Sequence, residues 1–162
     1  MRQMARQWRW LILAFMVTGC TTFCGVDRTK LTPEQVVERY LDVALNMSDL
    51  SQKPELMSYT TGNLKAAIEA ASDEVITDAY IDRRYSIISY SVVERRDRTP
   101  RETEITFTLI YKDLGKGDIK AEEAAKITTE NTLSVVKEKK VWLIREVLGN
   151  KTSFDFPLSE ES

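Results

Sequence analysis

The chain has 162 residues, with 23 basic and 25 acidic side chains, a formal net charge of −2, two cysteines and no histidine. The missing histidine removes Ser-His-Asp and Cys-His catalysis, His-ligated zinc and imidazole general-base chemistry together. The acidic balance argues against a nucleic-acid role, which normally needs a basic face, and no CxxC pair, GxxxxGK loop or GxGxxG turn is present.

The first ten residues, MRQMARQWRW, hold Arg2, Arg6 and Arg9 and no acid, and the apolar run LILAFMV follows from Leu11 to Val17. A basic segment, a short apolar run and small residues at a cut site are the parts of a secretory signal. The run is far shorter than the ~20 residues a helix needs to cross a bilayer, so it predicts a removable signal over residues 1–19 rather than a permanent span. Val17-Thr18-Gly19-Cys20 resembles the lipobox of bacterial lipoproteins: a branched aliphatic, two small residues, then cysteine. The chemistry requires that order, because the thiol is alkylated by diacylglycerol and a peptidase must then reach the preceding bond without side-chain bulk. The resemblance implies that Cys20 is the lipidation site and becomes the acylated N-terminus, so that the partner of this end is membrane lipid. Phe23 would crowd a cut before Cys24; with Cys20 acylated, Cys24 has no intrachain disulfide partner and is most simply a free thiol in the tether, an intermolecular disulfide being the alternative. Thr21 stands where an aspartate would signal inner-membrane retention in enteric bacteria. In a host with two membranes the expectation is therefore the outer membrane, facing the periplasm.

Removing residues 1–19 takes three arginines and no acid, leaving 20 basic against 25 acidic side chains and a net charge of −5. Residues 20–31 are small and polar and are expected to be the lipidated end and its tether; eleven extended residues after the cysteine reach about 35–40 Å. Residues 32–157 have the length of one domain, and residues 158–162 are expected to fray.

Thr32-Pro33-Glu34-Gln35 predicts a helix start: Thr32 as cap, Pro33 where its missing N–H is harmless, and Gln35 closing a capping box. Val36, Val37, Tyr40, Leu41, Ala44 and Leu45 then form one apolar stripe. Asn46 to Pro54 interrupts the pattern. A short helix or turn follows over Glu55–Tyr59, then a helix over Asn63–Ala71 with Leu64, Ala67, Ile68 and Ala71 on one side. Ser72-Asp73-Glu74 caps a last short segment through Val75, Ile76, Ala79 and Tyr80.

From Arg84 the period changes to two. Residues 84–96 place Ile88, Tyr90 and Val92 on one face and Ile87, Ser89 and Ser91 on the other. Residues 102–112 turn Ile105, Phe107, Leu109 and Tyr111 inward and Glu104, Thr106 and Thr108 outward, after a turn marked by Thr99-Pro100. A charged, glycine-containing loop covers 113–123, with Gly115-Lys116-Gly117-Asp118 as a turn. Lys126–Lys137 is a third strand, with Ile127, Leu133 and Val135 on one face. Glu138-Lys139-Lys140 turns it into a well-buried fourth strand over Val141–Leu148, and the tail from Phe154 is expected to add a short edge segment.

Helices followed by about four antiparallel strands make an α+β layer fold. LTPEQVVERYLDVAL, the helix-then-hairpin order and the closing VVKEKKVWLIREV, with Trp142, resemble the nuclear transport factor 2-like (SnoaL-like) superfamily over residues 31–150. That resemblance implies N-terminal helices on a curved, cone-like sheet whose mouth often holds a ligand, with Tyr40, Phe107, Tyr111 and Trp142 as candidate lining; ordinary core is the simpler account of the same four. A cystatin-like fold, one long helix on an antiparallel sheet, is the nearest alternative. Enzymes of the superfamily also use an aspartate base beside a tyrosine. Asp42, Asp78 and Asp82 are present, but no spacing assigns any of them to such a site. Arg95, Arg96, Arg98 and Arg101 near a hairpin tip are interleaved with Glu94, Asp97 and Glu102 and read as a solvated mixed-charge turn, as do Lys137, Lys139 and Lys140. The expectation is a membrane-anchored, non-enzymatic module without cofactor or metal, binding an envelope protein or a small molecule. The alternative is a pocket enzyme of the isomerase or cyclase type.

Overall fold

The computed structural model describes residues 27–157. Helix α1 spans Pro33–Leu45, and its start is the capping box expected from sequence: Thr32 Oγ1 accepts from the Gln35 N–H while Gln35 Oε1 accepts from the Thr32 N–H. Helices α2 (Lys53–Ser58), α3 (Gly62–Ala70) and α4 (Asp73–Ile76) follow, and a single π turn over Thr77–Asp82 leads into the sheet. Ser72 caps α4 by accepting from the Val75 N–H. The short α4 turns Ile76 inward and leaves Val75 exposed; on α3 Leu64 and Ile68 face in, with Ala71 just past its end, and Ala67 is exposed. Gly62 opens α3 at φ +52°, where a Cβ would stand 2.9 Å from Arg145 Cγ; glycine meets both the backbone and the space requirement there.

Strands β1 (Tyr85–Thr99), β2 (Glu102–Asp113), β3 (Lys126–Glu138) and β4 (Val141–Asp155) form one antiparallel sheet in the order β1-β2-β3-β4. The inner pair β2/β3 is in regular register, whereas both outer strands are bulged. The β1 register shifts around Ile88, Val93 and Arg98, and that of β4 around Leu148 and Arg145. Each extra outer residue bends its strand and increases the local twist, which curves the sheet around the helices. The β3–β4 turn places Lys139 and Lys140 at φ 45° and 75°, as a two-residue hairpin turn of the primed type requires.

The bulge at Ile88 corrects the strict alternation expected for β1. Ile87 joins the covered face with Tyr90 and Val92, and Ile88 points out at 52% exposure. The fourth strand is also longer than the pattern suggests. It runs on past Leu148 to Asp155, taking in Phe154, and only its first half is covered. Composition hides that extension because GNKTSFD is polar and glycine-containing, while strand pairing here comes from β3.

The covered face of the sheet meets α1 in a core of Val36, Val37, Leu41, Ile105, Phe107, Leu133, Val135 and Ile144. A second cluster, Met47, Leu56, Ile68 and Ile76, lies among the helices, and Tyr40 and Leu64 touch both. Three further helices beside α1 distinguish this architecture from the cystatin-like alternative. The packed body begins upstream of Thr32: Leu31 packs on the core, and the Arg28 guanidinium lies 4.8 Å over the Tyr59 ring and donates to the Ser58 carbonyl. Among the described residues no helix is long and apolar enough to cross a membrane.

Candidate binding pocket

The C-terminal end of α1 and the π turn stand off from the far ends of β1–β3 and leave a pocket of about 310 Å3. Ala44 and Leu45 come from α1, Ala79 and Tyr80 from the π turn, Tyr85 and Ile87 from β1, Leu109 and Tyr111 from β2, and Thr129 from β3. The lining is apolar apart from three phenols and one hydroxyl. It includes no carboxylate and no amine, so no group in the wall can act as a general base near neutral pH.

The pocket's rim is held by ordinary chemistry. Tyr85 and Tyr111 meet edge to face at 5.4 Å and 85°, a favoured aromatic geometry. Beside them Arg83 donates from Nε to both Asp113 oxygens, at 2.9 and 3.2 Å, tying the entry of β1 to the end of β2. The guanidinium holds the Asp113 carboxyl below the usual range, against the opposing effect of its partial burial. Burial pushes the Tyr85 and Tyr111 phenols up. Burial, with the Tyr80 hydroxyl beside it, pushes Tyr40 up further still.

Of the four aromatics expected at the mouth, only Tyr111 lines it. Phe107 is core, Tyr40 joins the two core clusters, and Trp142 packs on the core with Lys137 Nζ 5.4 Å from its ring centroid. Tyr80, Tyr85 and Ile87 belong to the pocket, and the sequence pattern marks none of them as lining. The signal that points to them is the pair of tyrosines, Tyr80 and Tyr85, at the junction where the helical period gives way to the strand period.

The three aspartates weighed for catalysis lie elsewhere. Asp42 Oδ1 accepts from Tyr90 Oη at 2.6 Å, fastening α1 to β1, and this bond is the chief reason the Tyr90 phenol is raised. Neither residue lines the pocket. Asp78 and Asp82 stand on the outer surface beside Lys116 Nζ, at 2.8 and 3.9 Å, and the lysine holds Asp78 below the ordinary carboxyl range. The arginine cluster is ion-paired: Arg95 to Glu34 and Asp97, Arg96 to Glu94, and Arg98 to Glu104. Among the described residues no group of three or more Cys, Asp or Glu is placed to hold a metal. Cys20 and Cys24 lie outside the described residues.

The raised phenols make alkaline stability a test of this packing. A group whose native pKa is raised contributes stability that is intact below its unfolded value and lost as pH rises past it. Unfolding free energy is therefore expected to hold steady through neutral pH and to fall above roughly pH 10, where unfolded tyrosine ionises. Tyr40→Phe should flatten that fall, measured by denaturant titrations between pH 8 and 11. Equal slopes for the two chains would contradict the buried, neutral Tyr40.

No family model matches the chain, and no curated protein matches it. Among solved structures, the intermembrane space region of the chloroplast protein ARC6 aligns with a TM-score of 0.49 at 16% identity, over 76% of this chain and 93% of that one. The VirB8 protein of Agrobacterium tumefaciens aligns with a TM-score of 0.42 at 12% identity, over 80% of this chain and 98% of that one. Likeness at this distance bears on the path of the chain and carries no function.

Proposed function

We propose that the chain is a lipid-anchored, non-enzymatic module of a bacterial cell envelope that holds a small apolar or aromatic molecule in the pocket between α1, the π turn and the sheet. The observation that carries the reading is the pocket wall, which is apolar with a phenolic rim and without a catalytic carboxylate. Most small-molecule sites have this character: apolar walls with a few placed polar groups. The enzyme alternative needs an aspartate and a tyrosine converging on the cavity, and the Asp42–Tyr90 pair lies outside it.

Chain direction puts the attachment of the tether and the pocket at opposite ends of α1. The N-terminal end of α1 sits beside the β1–β2 hairpin, where Glu34 meets Arg95 at 3.0 Å, and the C-terminal end of α1 lines the pocket. The thirteen residues of α1 span about 20 Å. With acyl chains on Cys20, a tether that reaches about 35–40 Å when extended lets the domain turn either end toward the bilayer, so the pocket is open to molecules in the aqueous space or at the membrane surface.

Titration of the full chain in lipid nanodiscs with 4-fluorophenol, followed by fluorine NMR, tests the pocket. A saturable shift is expected, and Ala44→Trp, which sets an indole into the partly buried helix wall of the pocket and whose fold circular dichroism verifies, should weaken it by about tenfold or more, the equivalent of ~1.4 kcal/mol. An equal or non-saturable response in both chains would contradict the binding role.

A further inference from the structure

The two edges of the sheet differ. β1 presents an edge broken by three register shifts, a common way of blunting an exposed strand. On β4 the first half is covered: the Ile144 N–H donates to the Tyr59 carbonyl at 2.9 Å, and the Ile144 carbonyl accepts from the Thr61 N–H at 2.8 Å. From Gly149 to Asp155 the strand pairs residue for residue with Thr132 to Lys126, with no bulge and no proline. Every residue from Val147 to Pro157 is exposed, and among the described residues no element pairs with this outer edge.

We propose that residues 151–155 of β4 pair antiparallel with the same segment of a second copy, about a two-fold axis at Ser153, joining two sheets into one. Charge selects both the occupant and the register. With Ser153 opposite itself, Lys151 stands opposite Asp155 of the second copy, and Asp155 opposite its Lys151. Within one copy these side chains already end charged rows, Lys126 with Asp155 at 3.7 Å and Lys151 with Glu130 at 3.5 Å. Lys151 and Asp155 are 86% and 74% exposed, so each has room for a second neighbour. Pairing turns the ends into two rows, Lys126–Asp155–Lys151–Glu130, in which the sign alternates at every strand. An axis at Lys151 or at Asp155 would instead set like charges opposite each other, which is destabilising.

The other face fits the same register. Phe154 and Phe156, 59% and 71% exposed and stacked at 6.4 Å, come opposite Thr152 and Asn150 of the second copy. An aromatic beside a β-branched residue is a favourable cross-strand pair. The helices that cover Ile144 lie nine residues from Ser153, roughly 30 Å along the strand, and stay clear of the joint. A self-complementary patch of this kind gives a closed two-fold dimer. This pairing does not depend on what fills the pocket.

Sedimentation of the full chain in detergent tests it with K151D, D155K and the double exchange K151D/D155K. All three alter exposed positions, and circular dichroism will verify that each is folded. Wild type should be dimeric, and the double exchange should recover dimerisation relative to either single exchange, because it restores opposite signs across the axis, although it opposes Lys126 and Glu130 at the inner ends of the rows. Each single exchange should weaken dimerisation about tenfold or more, since two cross-strand attractions become repulsions. A monomeric wild type would overturn the proposal, as would a segment that accepts only a strand from another protein. A dimer indifferent to the single exchanges, or one the double exchange fails to restore, would overturn it equally.

Discussion

Ile144→Ala is expected to lower the unfolding free energy by about 2–5 kcal/mol, the usual cost of emptying a fully buried aliphatic site. Ile144 has no exposed surface, packs with Val36, Val37, Ile105 and Val135, and lies on the stretch of β4 that the α2–α3 connection pairs with. Nothing nearby can close the gap cheaply, because α1 covers it on one side and the sheet holds it on the other. Val147, three residues along the same strand, is 51% exposed. Val147→Ala should therefore stay within about 0.5 kcal/mol of the parent. Denaturant midpoints of the two variants compare buried with exposed sites on one element. Similar losses in both would contradict the core as described.

The elements most legible in the sequence are those in which local chemistry and packing agree. Thr32-Pro33-Glu34-Gln35 contains the whole N-terminal capping device of α1, and the stripe from Val36 to Leu45 names the face it buries. In β2 the alternation of Ile105, Phe107, Leu109 and Tyr111 is undisturbed because this strand sits between two others and pairs with β3 without a bulge. The outer strands are harder to read. A bulge adds one residue without changing composition, so the swap of Ile87 and Ile88 between faces has no local signature. The second half of β4 lacks an apolar face to announce it, since it lies beyond the helices and is exposed on every residue.

The pocket was less legible than the fold for the same physical reason. Its wall depends on where the short helices end relative to the sheet, and Tyr80 and Tyr85 converge on Tyr111 only because the π turn and the start of β1 bring them there. Large aromatics at regular spacing, such as Phe107, mark the core; those at a junction of elements mark the rim. Asp42 shows why spacing assigns no aspartate to a site. It does meet a tyrosine, but the bond ties helix to strand rather than facing a cavity.

The anchor is the reading on which the biological setting rests. The seven apolar residues from Leu11 to Val17 are too few to hold a chain across a bilayer, where about 20 are needed. Acyl chains on Cys20 would supply the affinity instead: one chain of myristoyl size binds at only about 10⁴ M⁻¹, while two give stable attachment. Cys20→Ala should consequently remove both the site of alkylation and the processing that depends on it. The most direct measurement is metabolic labelling with radioactive palmitate, combined with the intact mass of the chain recovered from membranes. The parent is expected to be labelled and to begin at an acylated Cys20, and Cys20→Ala to be unlabelled and to retain residues 1–19. A Cys20→Ala chain that still matures and takes up label would contradict the account.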